Sequence, residues 1–447
     1  MTLRFGTDGV RGLANVDLTP ELVLALGRAA ARTFGAARVV VGRDTRRSGP
    51  LLESALAAGF AAEGVSVERL GLAPTPAVAW VAAREQIPGG VVSASHNPAP
   101  DNGVKFFASG GRKLDDATEE RLEAELDRVV SGGLDAAAVP VPTGSAVGRI
   151  EERADLVDEY VGALAGSTDV RLDGLSLVLD CANGAAVGIA PEVFRRLGAR
   201  VDAINTATDG DTINRACGST DPRGLARAVV GAGADVGLAF DGDADRVIAV
   251  DGQGAVVDGD HIIAVCALDL LSRGRLSGGA VAVTVMTNLG FRIGMAERGI
   301  RVVETPVGDR HVLETIEREH LSLGGEQSGH VIFRDLATTG DGVLTGVQFL
   351  TAVRRSGRSL EELARDAMTR LPQVLVNVTV EGSGTDVTAL VGDEVAAVEA
   401  ELGDHGRVLI RPSGTEPLVR VMVEAPTEEE ATAAARRLAA AIRRSLP

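Results

Sequence analysis

Two rhythms of apolar and polar positions alternate along this chain. From Leu22 to Phe34 apolar residues recur at helical spacing, and Thr19-Pro20 ahead of them supplies an N-cap and a proline at the first helical position. Arg38 to Val41 then reads as a buried strand, Leu51 to Glu63 as a helix, Val65 to Leu70 as a strand, Pro74 to Ala83 as a helix and Gly89 to Ala94 as a strand. Such alternation predicts an α/β layer built on a largely parallel sheet. An acidic helix, Thr118 to Val130, follows. The Gly-, Ala-, Val- and Pro-rich stretch Ser131 to Arg149 reads as a boundary.

The rhythm then restarts twice. Leu175 to Asp180 and Asp235 to Phe240 read as strands, with a helix from Gly188 to Leu197 between them. After Gly252, Asp258 to Leu271 is helical, Ala280 to Val285 a strand, Leu289 to Arg298 a helix and Leu321 to Leu323 a short strand. In each block a later strand runs into an unusual loop: SASHNP at 93–98, DGDADR at 241–246 and GGEQSGH at 324–330. This is a threefold repeat of architecture rather than of identity. The last block differs. Gln373 to Val380 is strongly β, Val387 to Glu401 helical, two strands flank Pro412 to Pro417, and Glu428 to Ser445 closes as a helix. The expectation is three similar α/β domains (1–148, 149–252 and 253–370) with mixed, largely parallel sheets, plus a smaller C-terminal α+β domain (371–447), around a central cleft. In open α/β sheets ligands gather at the carboxyl ends of strands, so three repeats can bring three loops together.

Length agrees, since 447 residues suggest about three domains, with two to four in range. Aromatic residues are only 3%, so the cores must be built from Ala, Val, Leu and Ile. The formal net charge of -17 opposes general binding to nucleic acid or to an anionic membrane. It also means that an anionic ligand needs a locally basic site. Cys181, Cys217 and Cys266 lack Cys-x-x-Cys spacing and read as core thiols in a reducing compartment. The first residues show no apolar leader, and arginines such as Arg28 and Arg32 interrupt any run long enough to span a bilayer. The expected location is cytoplasmic.

The loops carry the candidate chemistry. In SASHNP a serine stands at a strand mouth beside a histidine, placed to act as nucleophile or phosphate carrier; a plain Ser/Asn turn is the bland alternative. In DGDADR, Asp241, Asp243 and Asp245 occur at every second position, and strand-like alternation would aim them to one side as a hard oxygen site suited to Mg²⁺. An EF-hand is excluded, because Arg246 stands where that loop needs glycine and Gly252 where it needs glutamate. The alternative is a solvated hairpin turn, in which three like charges would repel. Arg246 either balances charge or meets a phosphoryl oxygen. In GGEQSGH, Glu326 and Ser328 can hold adjacent sugar hydroxyls, and His330 is either structural or an acid/base. Arg411, Ser413, Gly414, Thr415 and Arg420 have the make-up of an anion cradle. Of the 45 basic residues only Lys105 and Lys113 are lysines. Lys105 can lose a proton where arginine cannot, which makes it an acid/base candidate. Lys113 reads more readily as a surface residue. Arg11, framed by Gly9 and Gly12, is a candidate phosphate contact. Gly42-Arg43-Asp44 reads as structural.

Taken in order, SASHNP, DGDADR, GGEQSGH and RPSGTEPLVR resemble the phosphoserine, metal, sugar and phosphate loops of the α-D-phosphohexomutase family, over the whole chain. The opening GTDGVRG, Gln327 and TPVGDRHV at 305–312 resemble its amino-sugar branch, and the mannose/glucose branch is the alternative. The resemblance implies that Ser95 is phosphorylated; Ser93 lies two positions away on the same strand face, and only the family position before the histidine separates the two. It implies Mg²⁺ among Ser95, Asp241, Asp243 and Asp245, and sugar contacts from Glu326 and Ser328. It further implies phosphate contacts from Arg246, Arg411, Ser413, Gly414, Thr415 and Arg420, and a catalytic set of Ser95, Lys105, His330 and Arg11. Lys105 and His330 remain open as the general acid/base. The implied reaction interconverts glucosamine 6-phosphate and glucosamine 1-phosphate, with a hexosamine or hexose 1,6-bisphosphate as intermediate and activator. Sugar phosphates are the implied partners, and a homodimer is among the assemblies it allows.

Overall fold

A computed structural model describes residues 9–132, 142–379, 391–412 and 418–445, and the side chain of Pro412 lies outside that description. The chain divides into two compact units, residues 1–286 with 301–365, and residues 287–300 with 366–447.

The first unit holds three sheets. The first has strands β1 (Val10–Leu13), β2 (Arg38–Arg43), β3 (Ser66–Leu72), β4 (Gly89–Val92), β5 (Asp101–Phe107) and β6 (Ile150–Glu152), in the order β1-β5-β4-β2-β3-β6. The second has β7 (Ser176–Asp180), β8 (Arg200–Ile204), β9 (Val236–Phe240), β10 (Val247–Asp251) and β11 (Val256–Val257), in the order β11-β10-β9-β7-β8. The third has β12 (Ala280–Thr284), β13 (Arg301–Thr305), β14 (Leu323–Gly325) and β15 (Val331–Phe333), in the order β13-β12-β14-β15.

One device recurs in all three. A parallel pair (β2 with β4, β7 with β9, β12 with β14) is followed by an antiparallel neighbour (β5, β10, β15). Each chemical loop is the connection that reverses the chain between those last two strands. The repeat seen faintly in the sequence is thus a repeat of topology: a parallel core, then a hairpin whose turn projects from the carboxyl end.

Local signals explain most of the framework. Thr19 caps the helix Pro20–Phe34 by accepting the Leu22 N–H at 3.3 Å, and Gly35 ends it in the left-handed region. The buried faces are Val, Leu and Ala, as the scarcity of aromatics requires, with Phe34, Phe60 and Phe106 meeting edge to face in the first core. The stretch from Asp101 to Phe107, which sequence patterning passed over, is a strand. Its Asp-Asn-Gly start reads as turn, yet antiparallel pairing with β4 and β1 on both sides overrides that preference.

The second unit joins residues 287–300 to the C-terminal sheet β16 (Gln373–Thr379), β17 (Arg407–Pro412) and β18 (Leu418–Glu424), ordered β16-β18-β17, with the helix Glu428–Ser445 packed against it. Glu424, fully buried, ties it together. It accepts the Leu289 N–H at 3.0 Å and the Arg407 guanidinium at 2.9 Å. Sequence patterning starts this block at 371. The helix Leu289–Glu297 belongs with it as well, a long-range partnership that no local signal announces.

One buried pair in the first unit has a testable consequence. Tyr160 donates its hydroxyl to Asp341 Oδ2 at 2.6 Å, and Asp341 Oδ1 caps the helix Gly342–Ser356 by accepting the Leu344 N–H at 2.9 Å. Burial pushes the Asp341 carboxyl up to about 6 despite both hydrogen bonds, with the charge of Asp245 adding to the rise. The folded protein therefore holds a proton there that the unfolded chain releases, and stability falls as pH rises from about 4 to 6. Asp341→Asn removes that penalty, at most about 3 kcal/mol. It is expected to raise the melting temperature at pH 7.5 and to leave it unchanged at pH 4. Equal shifts at both pH values would refute the account.

Candidate active site

Ser95 ends the strand β4 region in a left-handed conformation (φ 50°), which a serine adopts only when its surroundings impose it. Arg46 imposes it. Its side chain is fully buried, and its guanidinium donates to the carbonyls of Ser95 (3.0 Å), Asn97 (2.8 Å), Asp101 (2.9 Å) and Pro98. Asn214 adds a second donor to Ser95 O at 2.8 Å and Asn97 O at 3.0 Å. Asp44 balances Arg46 at 2.9 Å and receives the Ser93 hydroxyl at 2.6 Å, while Ser93 Oγ accepts the Ser95 N–H at 2.9 Å. Ser93 is thereby consumed as a brace, and the hydroxyl left facing the carboxylates is that of Ser95. Reading Asp44 as structural fits this arrangement. Arg46, one of many arginines in the chain, gave no signal of its own.

Ser95 Oγ donates to Asp241 Oδ2 at 2.7 Å. Asp241, Asp243 and Asp245 are all buried, with one oxygen from each within 4.8 Å of the others. They converge through a tight loop with Ala244 in the left-handed region, and not through the strand-like alternation expected from their spacing. That loop is also the turn of the β9–β10 hairpin, so the two competing readings of DGDADR describe one object. Gly242 is required there, since a Cβ at that position would stand 2.5 Å from Ser95 O.

The electrostatics favour a cation. Burial first, then the charges of Asp245 and Asp243, push the Asp241 carboxyl well above its usual range. Lys105, on β5, donates to Asp243 Oδ2 at 2.6 Å and lies 3.9 Å from Asp245 Oδ2. Asp243 Oδ1 and Asp245 Oδ1 are buried without a hydrogen-bond partner in the described structure. Buried orphan acceptors are costly, and three clustered hard carboxylates, two of them with an oxygen unfilled, fit a divalent metal.

His330 is buried on the other side of Asp245. Its Nδ1 lies 3.7 Å from Asp245 Oδ2, and its Nε2 accepts the Gly340 N–H at 3.2 Å, an arrangement that puts the neutral ring's proton on Nδ1. Gly340 must be glycine, because a Cβ would meet Nε2 at 2.3 Å. Burial lowers the imidazole's proton affinity, but Asp245, Asp309 and Glu326 outweigh it and raise the net value. His96 shifts the opposite way, lowered by burial and by Arg246 and Arg11. Its Nδ1 stands 3.4 Å from Ser95 Oγ and 3.3 Å from the Arg246 guanidinium. Arg11, on β1, reaches Asn97 Oδ1 at 3.5 Å.

Glu326 accepts the Gly308 N–H at 3.1 Å and the Ser328 hydroxyl at 3.2 Å. Lys113, read from sequence as a surface residue, is mostly buried and ion-paired to Asp309, which also lies 3.6 Å from His330 Nε2. In the second unit Arg411 and Arg420 face each other across β17 and β18, and burial together with the Arg420 charge depresses the Arg411 guanidinium. Ser413, Gly414 and Thr415 lie outside the described residues. Within the first unit, then, Ser95, Arg11, Lys105, the three aspartates, Arg246 and His330 form one connected cluster, with Glu326 and Ser328 beside it.

Models of phosphoglucomutase/phosphomannomutase α/β/α domain I match residues 2–131, domain II residues 158–254, domain III residues 258–371, and the C-terminal domain residues 375–441. The chain belongs to the phosphoglucomutase/phosphomannomutase family, a family of phosphohexomutase enzymes. Among its curated relatives, phosphoglucosamine mutase of Thermobifida fusca is 54% identical, covering 100% of this chain and 99% of that one. Phosphoglucosamine mutase of Salinispora tropica is 51% identical, with 99% of each covered. The crystal structure of a phosphoglucomutase/phosphomannomutase family protein from Burkholderia thailandensis superposes with a TM-score of 0.80 at 26% identity, covering 98% of this chain and 97% of that one. The Aspergillus fumigatus N-acetylphosphoglucosamine mutase solved with GlcNAc-6P and magnesium shares the fold, with a TM-score of 0.71 at 19% identity, covering 100% of this chain and 96% of that one.

Proposed function

We propose that this enzyme interconverts D-glucosamine 6-phosphate and α-D-glucosamine 1-phosphate, with Ser95 as the phosphoryl carrier. The observation that carries the reading is the Ser95 hydroxyl, 2.7 Å from Asp241 at the edge of a buried three-carboxylate cluster. The named activity of relatives more than half identical over the full chain supports the choice of substrate.

In the forward direction a sugar hydroxyl attacks the phosphorus of phosphoserine 95. The Oγ–P bond breaks as the sugar O–P bond forms, giving the 1,6-bisphosphate. The intermediate then presents its other phosphate, Ser95 Oγ takes that group back, and the isomeric monophosphate leaves. Asp241, Asp243 and Asp245, with an oxygen on Ser95, would hold Mg²⁺, which supplies charge neutralisation for the transferring group. Lys105 and His330 flank the cluster and are the groups we assign to moving the hydroxyl proton. Glu326 and Ser328 bind sugar hydroxyls, His96 faces the serine oxygen with the Arg246 guanidinium against its ring, and Arg246, Arg11, Arg411 and Arg420 bind phosphate. A hexosamine or hexose 1,6-bisphosphate would rephosphorylate enzyme that has lost its phosphoryl group. No helix among the described residues is long and apolar enough to cross a membrane, and we place the enzyme in the cytoplasm, where three buried free thiols are at home.

A substrate panel with intact-mass measurement tests the reading. Glucosamine 6-phosphate is expected to turn over faster than glucose or mannose 6-phosphate. Phosphatase treatment should remove one phosphoryl mass and silence the enzyme until bisphosphate is added. Faster turnover of mannose or glucose phosphate would move the assignment within the family. Inorganic phosphate released as fast as substrate disappears would make the enzyme a phosphatase.

A further inference from the structure

The carboxylates beside the sugar hairpin are not equivalent. Both oxygens of Glu326 are engaged, one by the Gly308 N–H and one by the Ser328 hydroxyl. Asp309 follows Gly308 in the first turn of the helix Asp309–Arg318, so the same turn fixes both acids. Gly308 allows that turn with φ at 130°, a value open to glycine. Asp309 Oδ2 receives the Lys113 ammonium, while Oδ1 takes no hydrogen bond from any described residue, and the side chain keeps 14% of its surface exposed.

The chain thus presents, one residue from the backbone N–H that holds Glu326, a carboxylate already matched to a primary alkylammonium. That is the group at C2 which separates glucosamine 6-phosphate from glucose 6-phosphate, where a hydroxyl stands instead. We propose that Asp309 is the specificity-determining residue for the 2-amino group, receiving the substrate's ammonium on Oδ1 as it receives Lys113 on Oδ2. The inference rests on the glucosamine reading above.

A carboxylate has lone pairs for two ammonium donors, and a charge-assisted hydrogen bond is about twice as strong as the neutral one a hydroxyl would make. Glu326 and Ser328 alone would not discriminate, because hydroxyls that both sugars share satisfy them equally. Lys113 keeps Asp309 oriented and prevents an isolated carboxylate from attracting stray cations.

The test is the ratio of kcat/KM for glucosamine 6-phosphate to that for glucose 6-phosphate, in the parent enzyme, Asp309→Asn and Asp309→Glu. The parent ratio is expected to favour glucosamine. Asp309→Asn should lower it by about tenfold or more, through loss on glucosamine 6-phosphate with a much smaller change on glucose 6-phosphate. Asp309→Glu, which keeps the charge, should recover part of it. If Asp309→Asn lowers both substrates equally, or leaves the ratio intact, Asp309 does not read the amine while the glucosamine assignment stands. If the parent shows no preference, the glucosamine assignment itself fails.

Discussion

Ser95→Ala is expected to cut turnover by at least ~10³-fold while leaving the melting temperature within a few degrees of the parent. The size follows from the role. The hydroxyl is the only atom through which the phosphoryl group would be stored, and neighbouring groups cannot replace it. Ser93, two residues away, is locked between Asp44 and the Ser95 N–H. The fold should survive, because Ser95 is held by its backbone: Arg46 and Asn214 grip its carbonyl, and Ser93 grips its N–H. Loss of the hydroxyl removes one hydrogen bond to Asp241. Intact mass before and after incubation with 1,6-bisphosphate gives the decisive readout. A variant that still gains a phosphoryl group would transfer the carrier role to another residue.

Arg46 carries the second large effect, and it acts on the fold first. Arg46→Met leaves Asp44 as a buried carboxylate without its counter-ion and removes a donor from four backbone carbonyls. Breaking one partner out of a buried pair costs about 3–5 kcal/mol, so the variant should melt far below the parent or fail to accumulate. Arg46→Lys separates folding from function. A lysine keeps the charge for Asp44, but its single ammonium cannot spread over the carbonyls of Ser95, Asn97, Pro98 and Asp101. That variant is expected to fold, to melt a few degrees lower, and to lose at least tenfold in kcat (~1.4 kcal/mol), because the left-handed turn at Ser95 is no longer enforced. Full activity in Arg46→Lys would show that the loop holds its own shape.

The sequence was most informative where chemistry is local. The cap at Thr19, the helix after it, the closing helix and the three unusual loops all follow from residues a few positions apart. The clustering of the three aspartates is legible as charge crowded into one loop, but the strand-like alternation expected to aim them together is replaced by a tight turn. Long-range pairings were less visible. Nothing near Asp101 announces a strand, because its partners β1 and β4 create it. Nothing near Leu289 announces that its helix belongs with residues 366–447. Arg46 looked like any arginine, and its importance comes from burial beneath a loop about 50 residues away in sequence. Lys113 was misjudged for the same reason, since its partner Asp309 lies in the third sheet's domain.

The rarity of lysine has a practical outcome. Both ε-amines of this protein are ion-paired to carboxylates around the reaction site, Lys105 to Asp243 and Lys113 to Asp309. Acylating reagents will therefore find neither lysine as a free surface amine. Modification of either lysine becomes a reporter of the site being open.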